Sequence, residues 1–470
     1  MIIHTRPAHC NFTSPAFTGN GRPRALFSQA QSGYDNSSQS TARDKPRSLT
    51  HWFALACVWI TFASSGLVFS EPAPVDALSI GLVLLLPVIG LVRISGVLVV
   101  YLALWLIIAA GHYLASANAT DVSTAVTFSS VSLFLYIVSF VIAAFTAYRP
   151  KAHGALILSA WTFAALFATI LALMSYVGMI PGGETLFMKF GRASGTFKDP
   201  NVFGAFLVAP IVYMVHLSIH NKTLKAFGPL FVAGLLSIGV LLCFSRGAWI
   251  NLAAAVIIYG YLAFVTAPSN WQRSRIMIYL MAGVLLGITV IGVAVQFDSV
   301  SGLLSERASL LQSYDAGHEG RFGGQAKALT LITQNAFGIG PKVFGTRYHH
   351  EEVHNVYLSI VLNAGWIGGG LYWVAVFLTI GLGLRHALKG SGGHPIFLVL
   401  LAAFMANALE GVVIDSDHWR HFYVLMGMCW GFMSVAPYMA REQIKERAAR
   451  TTLASMRAIA HRSPRMRRHA

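Results

Sequence analysis

Charge is what this sequence has least of: 11% of its 470 residues are charged, whereas 55% are hydrophobic and mean hydropathy is +0.61. A soluble chain of this length needs far more polar surface, so a soluble globular fold is excluded. Acidic residues are scarcer than basic ones, 18 against 34, which leaves a formal net charge of +16. Cysteine is rare too. Cys10, Cys57, Cys243 and Cys429 show no pair spacing, so neither a disulfide nor a cysteine–metal site is expected, and three of them are expected in helices. Clustered nucleic-acid-reading motifs and internal repeats are missing. No nucleic-acid partner is expected, and a secondary transporter, which predicts repeats and mid-span charges, is disfavoured.

What the sequence does have is apolar runs long enough to cross roughly 30 Å of hydrocarbon. They lie near 52–70, 76–92, 94–115, 123–147, 155–178, 201–219, 227–244, 247–267, 276–296, 356–384, 395–413 and 420–438. None alternates apolar with polar residues as a β-barrel strand would, so helices are expected. The fold class is all-α, a polytopic integral membrane protein with about twelve transmembrane helices. A polar tail (1–50) reads as disordered, the membrane domain spans 51–440, and a basic tail covers 441–470.

Orientation follows from Lys and Arg. With both tails inside, 24 of the 34 lie on the inner side: six before residue 51, nine from Arg441 onward and nine at inner turns. Both termini are therefore expected in the cytoplasm, and the basic tails suit anionic membrane lipid.

Two outward connections are long, 179–200 and 297–355, and the second should be partly helical, over SVSGLLSERASLLQSY and GRFGGQAKALTLITQ. Ten basic residues break the inward bias, and for any one of them snorkelling or simple pairing is the plain explanation. Arg246, the sole charge in the hairpin LLCFSRGAWINLA, is harder to explain that way. Arg192, Arg246 and Arg321 come from three separate outward segments, and planar guanidinium forks suit a diphosphate. His354 opens HNVYLSIVLNAGWIG, where the long loop re-enters the membrane. An imidazole there can take a proton from a hydroxyl, or can simply sit at a helix start. Asn355 is a good helix cap, and Gly365 and Gly368 allow close helix packing.

The same stretch contains HEEVH (His350 to His354), the His-Glu-x-x-His pattern of zinc proteases. That chemistry needs both histidines on one helix face and a third ligand, for which Glu410, Asp415, Asp417 and His418 are available. It is kept as a further alternative.

Four segments in order, RASGTFKDPNVFGAFL, FSRGAW, GRFGGQAKALTLITQNAFGIGPKVFG and HNVYLSIVLNAGWIG, resemble the O-antigen ligase superfamily, which includes O-antigen and exopolysaccharide polymerases. The resemblance runs from about 185 to 370. It implies a GT-C-like fold and a metal-independent, inverting glycosyltransferase at the periplasmic face of the bacterial inner membrane. The donor would be a glycan on undecaprenyl diphosphate and the acceptor lipid A–core, or a growing polysaccharide in the polymerase alternative. His354 would activate the acceptor hydroxyl, and Arg192, Arg246 and Arg321 would hold the diphosphate. Lys198, Asn201, Asn355, Gly365 and Gly368 would support them, with no metal and no cofactor. Two departures stand out: Ala336 replaces a proline common in the family, and Arg192 to Gly204 encloses eleven residues where polymerases have ten.

Overall fold

Inside hydrocarbon a backbone satisfies its N–H and C=O groups within helices or closed β-barrels, and this sequence supplies the signals that start helices. The computed structural model describes residues 49–221, 223–296, 301–302, 317, 319–389 and 395–436. Almost all of both expected tails, and of the expected helix over SVSGLLSERASLLQSY, lies outside the described residues.

The helices are α1 (Leu49–Ala63), α2 (Pro74–Ile89), α3 (Gly96–Ser116), α4 (Val122–Tyr148), α5 (Pro150–Tyr176), α6 (Gly183–Phe187) and α7 (Pro200–His220). They continue as α8 (Thr223–Leu242), α9 (Arg246–Thr266), α10 (Asn270–Ala294), α11 (Arg321–Gln334), α12 (Val356–Leu388), α13 (Pro395–Glu410) and α14 (Arg420–Ser434). Each of the twelve expected apolar runs coincides with one of them. By length and composition, seven can cross a membrane: α3, α4, α5, α7, α8, α9 and α12. The protein is an all-α, multi-pass membrane protein.

Side-chain oxygens start several helices by accepting the first free N–H groups. Ser95 accepts from Leu98, Asp121 from Thr124, Asp199 from Asn201 and Ser245 from Ala248. Between helices, small residues permit contacts that apolar burial alone cannot drive in lipid. A Cβ on Gly111 of α3 would stand 2.5 Å from the Ala364 carbonyl and 3.3 Å from Gly368 Cα. Gly427 and Gly431 of α14 lie likewise against the Ser139 and Ala143 carbonyls of α4. Gly368 thus packs as expected.

Gly365 does something else. Its φ of 71° breaks the helical path of α12, which frees one backbone donor and one acceptor. Trp366 N–H then donates to the Ala336 carbonyl at 2.9 Å, while the Leu362 carbonyl accepts from Ile339 (2.9 Å) and Gly340 (3.2 Å). The turn NAFGIGP is therefore stitched into the helix break. Beside it Ala328, Leu331, Ile339, Val343, Phe344, Val353 and Leu362 form a small separate core that seats α11 on α12.

Candidate functional site

Arg192 lies in a tight hairpin of β1 (Met188–Lys189) and β2 (Arg192–Ala193). Its Nε donates to the Cys243 carbonyl and its Nη2 to Asn201 Oδ1, both at 2.8 Å. The first loop, the start of α7 and the α8–α9 turn are joined by that one guanidinium. Cys243 was expected inside a helix. It lies one residue past α8, because Phe244 turns the chain through a φ of 44° and Ser245 starts the next helix. Arg246 is the first residue of α9 and half-buried.

From α9 the contacts run on to α13 and α12. Asn251 donates to Glu410 Oε2 at 2.5 Å, and a Cβ on Gly247 would stand 2.8 Å from Glu410 Oε1. Immediately after Glu410, the carbonyls of Gly411 and Ile414 accept from Val356 N–H, at 2.9 and 3.2 Å. That fixes the start of α12, where Asn355 caps Tyr357 and Leu358 as expected.

His354 precedes this cap with a φ of 51°, a left-handed conformation that costs a non-glycine residue on the order of 1–2 kcal/mol. Two contacts hold it there. Its N–H donates to Asp415 Oδ2 at 2.9 Å, and its carbonyl accepts from Gln325 Nε2 at 3.3 Å. Gln325 lies one turn along α11 from the half-buried Arg321 that opens it. Arg192, Arg246, Arg321 and His354 thus sit on one connected set of helix ends and turns. Lys198 is set apart, paired at the surface with Glu71 at 3.6 Å.

The His354 ring, 28% exposed, lies between two carboxylates: Nδ1 is 3.7 Å from Asp415 Oδ2, and Nε2 is 3.2 Å from Glu351 Oε2. Burial, and then the neighbouring Asp417, push the Asp415 carboxyl above the usual carboxylate range. Burial pushes Asp417 itself up to about 6 and takes His418 down to about 4. Glu352, also raised by burial, is opposed by Lys342 at 3.7 Å.

The zinc-protease arrangement is not there. Residues 349–355 are irregular rather than helical, so His350 and His354 do not share a helix face. Glu351 lies between them instead, 4.0 Å from His350 Nε2 and 3.2 Å from His354 Nε2.

The transferase reading of the sequence assigns no role to Asp415, Gln325 or the Asn251–Glu410 pair. Asp-Ser-Asp (415–417), in a chain with only 18 acidic residues, was the available signal for Asp415. Arg420, one of the ten outward basic residues, has a plain structural partner: it forks onto Asp76 at 2.6 and 2.7 Å. An apolar recess lined by Phe62, Val75, Phe134, Trp161, Phe206 and Trp419 is also present, and none of Arg192, Arg246, Arg321 or His354 lines it.

Residues 231–373 match the family profile described as O-antigen ligase. Over this stretch the chain is similar to the O-antigen ligase family. The stretch takes in Arg246, Arg321, His354, Asn355, Gly365 and Gly368, and leaves Arg192, Lys198 and Asn201 before its start. The chain is also similar to the General O-oligosaccharyltransferase of Acinetobacter baylyi (strain ATCC 33305 / BD413 / ADP1), with 23% identity over 232 residues. That match covers 46% of this chain and 40% of the relative's length, so the chain spans well under half of that relative.

Proposed function

We propose that this protein is a metal-independent, inverting glycosyltransferase that moves a glycan from undecaprenyl diphosphate to a sugar hydroxyl. In this reading all twelve apolar helices cross the bacterial inner membrane, both termini are cytoplasmic and His354 faces the periplasm. The acceptor is lipid A–core, which makes the reaction O-antigen ligation. Chain polymerisation would use the same chemistry on a different acceptor, and the eleven-residue gap from Arg192 to Gly204 departs from the polymerase pattern.

The observation that carries the reading is the His354 turn, a strained histidine held from both sides by Asp415 and Gln325. Asp415 faces Nδ1 and orients the ring, leaving Nε2 as the base. Glu351, 54% exposed, stands at Nε2 and moves aside for the acceptor. Nε2 takes the hydroxyl proton as the acceptor oxygen bonds to the anomeric carbon. The bond from that carbon to the phosphate oxygen breaks with its electron pair, and the diphosphate leaves. Arg192, Arg246 and Arg321 stabilise the charge that develops on it, the electrostatic task a metal ion performs elsewhere. The relative's name, an O-oligosaccharyltransferase, supports transfer of a glycan to oxygen.

The test is complementation of a deletion strain. The wild-type gene should restore the glycan and His354→Ala should leave it lipid-linked, a loss of about 10²–10⁴ in rate. Reporter fusions at 340 should read periplasmic, and those after 272 cytoplasmic. Cytoplasmic signal at 340, or full complementation by His354→Ala, overturns the proposal.

A further inference from the structure

Two histidines that the transfer chemistry does not use lie next to each other just before His354. The His349 side chain is 1% exposed, seated against Gly324 of α11 and stacked on Phe344 with ring centroids 5.8 Å apart. Its Nδ1 is 3.3 Å from both the carbonyl and the N–H of Glu351: protonated at Nδ1, the ring donates to the first, and in the other tautomer it accepts from the second. The Nδ1-protonated tautomer leaves a lone pair on Nε2, a buried atom with no hydrogen-bond partner. One carboxylate oxygen, Glu319 Oε2, lies 3.9 Å from this Nε2 and 3.9 Å from His350 Nδ1. The three ligand atoms all lie within 4.8 Å of one another.

We infer that Glu319, His349 and His350 form a binding site for a divalent transition-metal ion of the zinc class. A metal-ligating histidine usually donates its other ring N–H to a backbone carbonyl or a carboxylate, which fixes ring and tautomer, and the Glu351 carbonyl is in place for His349 to do so once a metal selects that tautomer. Two imidazole nitrogens and one carboxylate oxygen suit zinc, whereas magnesium and calcium prefer oxygen throughout. Around zinc the ligand atoms stand about 3.3 Å apart, given metal–ligand bonds of roughly 2.0–2.1 Å. The exposed Glu319 and His350 side chains close that gap by rotating inward, while the buried His349 ring stays fixed. Water fills the fourth position.

The ion would pin the segment before α11 to the turn that carries His354. It touches neither His354 nor an arginine, so it is a clamp on the loop and takes no part in transfer. The site also differs from the zinc-protease pattern, which requires His350 together with His354.

That difference decides the experiment. Full-length protein in detergent is stripped with chelator and titrated with Zn²⁺ by calorimetry and with Co²⁺ by visible absorption. The expected result is one ion per chain, bound roughly tenfold or more weakly by Glu319→Gln and by His350→Ala, and unchanged by His354→Ala. These two substitutions fall on exposed side chains, so folding is not at issue as it would be for His349. No binding, binding indifferent to Glu319→Gln, or binding lost on His354→Ala would each overturn the inference. The readout is metal occupancy, so it stands apart from failure of the glycosyl-transfer proposal.

Discussion

The arginine half and the histidine half of the candidate site are built differently. On the arginine side, Arg192 is anchored by a backbone carbonyl and a neutral amide, and the α8–α9 turn it grips presents Arg246 at a helix start. A guanidinium held this way keeps its charge and aim at any physiological pH. On the histidine side, Glu351 and Asp415 flank one imidazole, and burial pushes the Asp415 carboxyl and those of the neighbouring Glu352 and Asp417 upward. A permanent positive field suits a leaving diphosphate, and a titrating acid-rich cluster suits moving a proton. The comparison assigns charge stabilisation to one half and proton transfer to the other.

The most severe way to break that assignment is to change geometry on the arginine side while keeping the charge. Arg246→Lys retains +1 but loses the fork, so transfer should fall by about 10²–10³, close to the effect of Arg246→Ala. Initial rates on lipid-linked donor measure it. Near-wild-type activity of the lysine variant would mean that only charge is needed there.

A smaller effect separates the two carboxylates on the histidine side. Asp415→Asn removes the charge facing Nδ1 and should cost about 10–100-fold in rate, by analogy with other partners that orient a working histidine. Glu351→Gln should cost no more than about threefold, because its exposed side chain gives way to the acceptor. The reverse order would move the orienting role to Glu351 and make Nδ1 the base.

How much of this was legible in the sequence depends on the range of the interaction. The twelve helices, the Asn355 cap and the helical spacing of GRFGGQAKALTLITQ are local properties, and each appears where the sequence put it. Gly365 was misjudged, because glycine in an apolar helix reads the same whether it lets a neighbour approach or breaks the axis. Only the turn that meets it, at Ala336 and Ile339, distinguishes the two. The same turn explains why alanine works at 336 in place of proline, since the contact it makes there is through its backbone carbonyl, which either residue supplies. The Asp415–His354 and Gln325–His354 contacts join residues 61 and 29 apart, separations at which no spacing rule applies. HEEVH misled for a related reason: the pattern assumes a helix, and here a turn with His354 at positive φ replaces it.

The mildest prediction sharpens the comparison through stability rather than rate. Asp417 lies in the turn between α13 and α14, is 8% exposed, and has its carboxyl raised by burial to about 6 from an ordinary 3.8. A carboxyl that holds its proton more tightly when folded contributes most at low pH, and that stability is lost as pH rises from about 4 through about 6. Asp417→Asn removes the cost of burying the charge. Its melting temperature in detergent should therefore exceed that of the wild type at pH 8, with the gap closing toward pH 4. Lys342 acts in the opposite sense on the same carboxyl, so a variant that melts lower at pH 8 would show that this attraction outweighs burial. Arg192→Ala is the control from the other half. Its effect on melting should be nearly the same at pH 4 and pH 8, because the guanidinium and its carbonyl and amide partners do not titrate across that window. Two flat profiles, or two sloping ones, would remove the distinction between the halves.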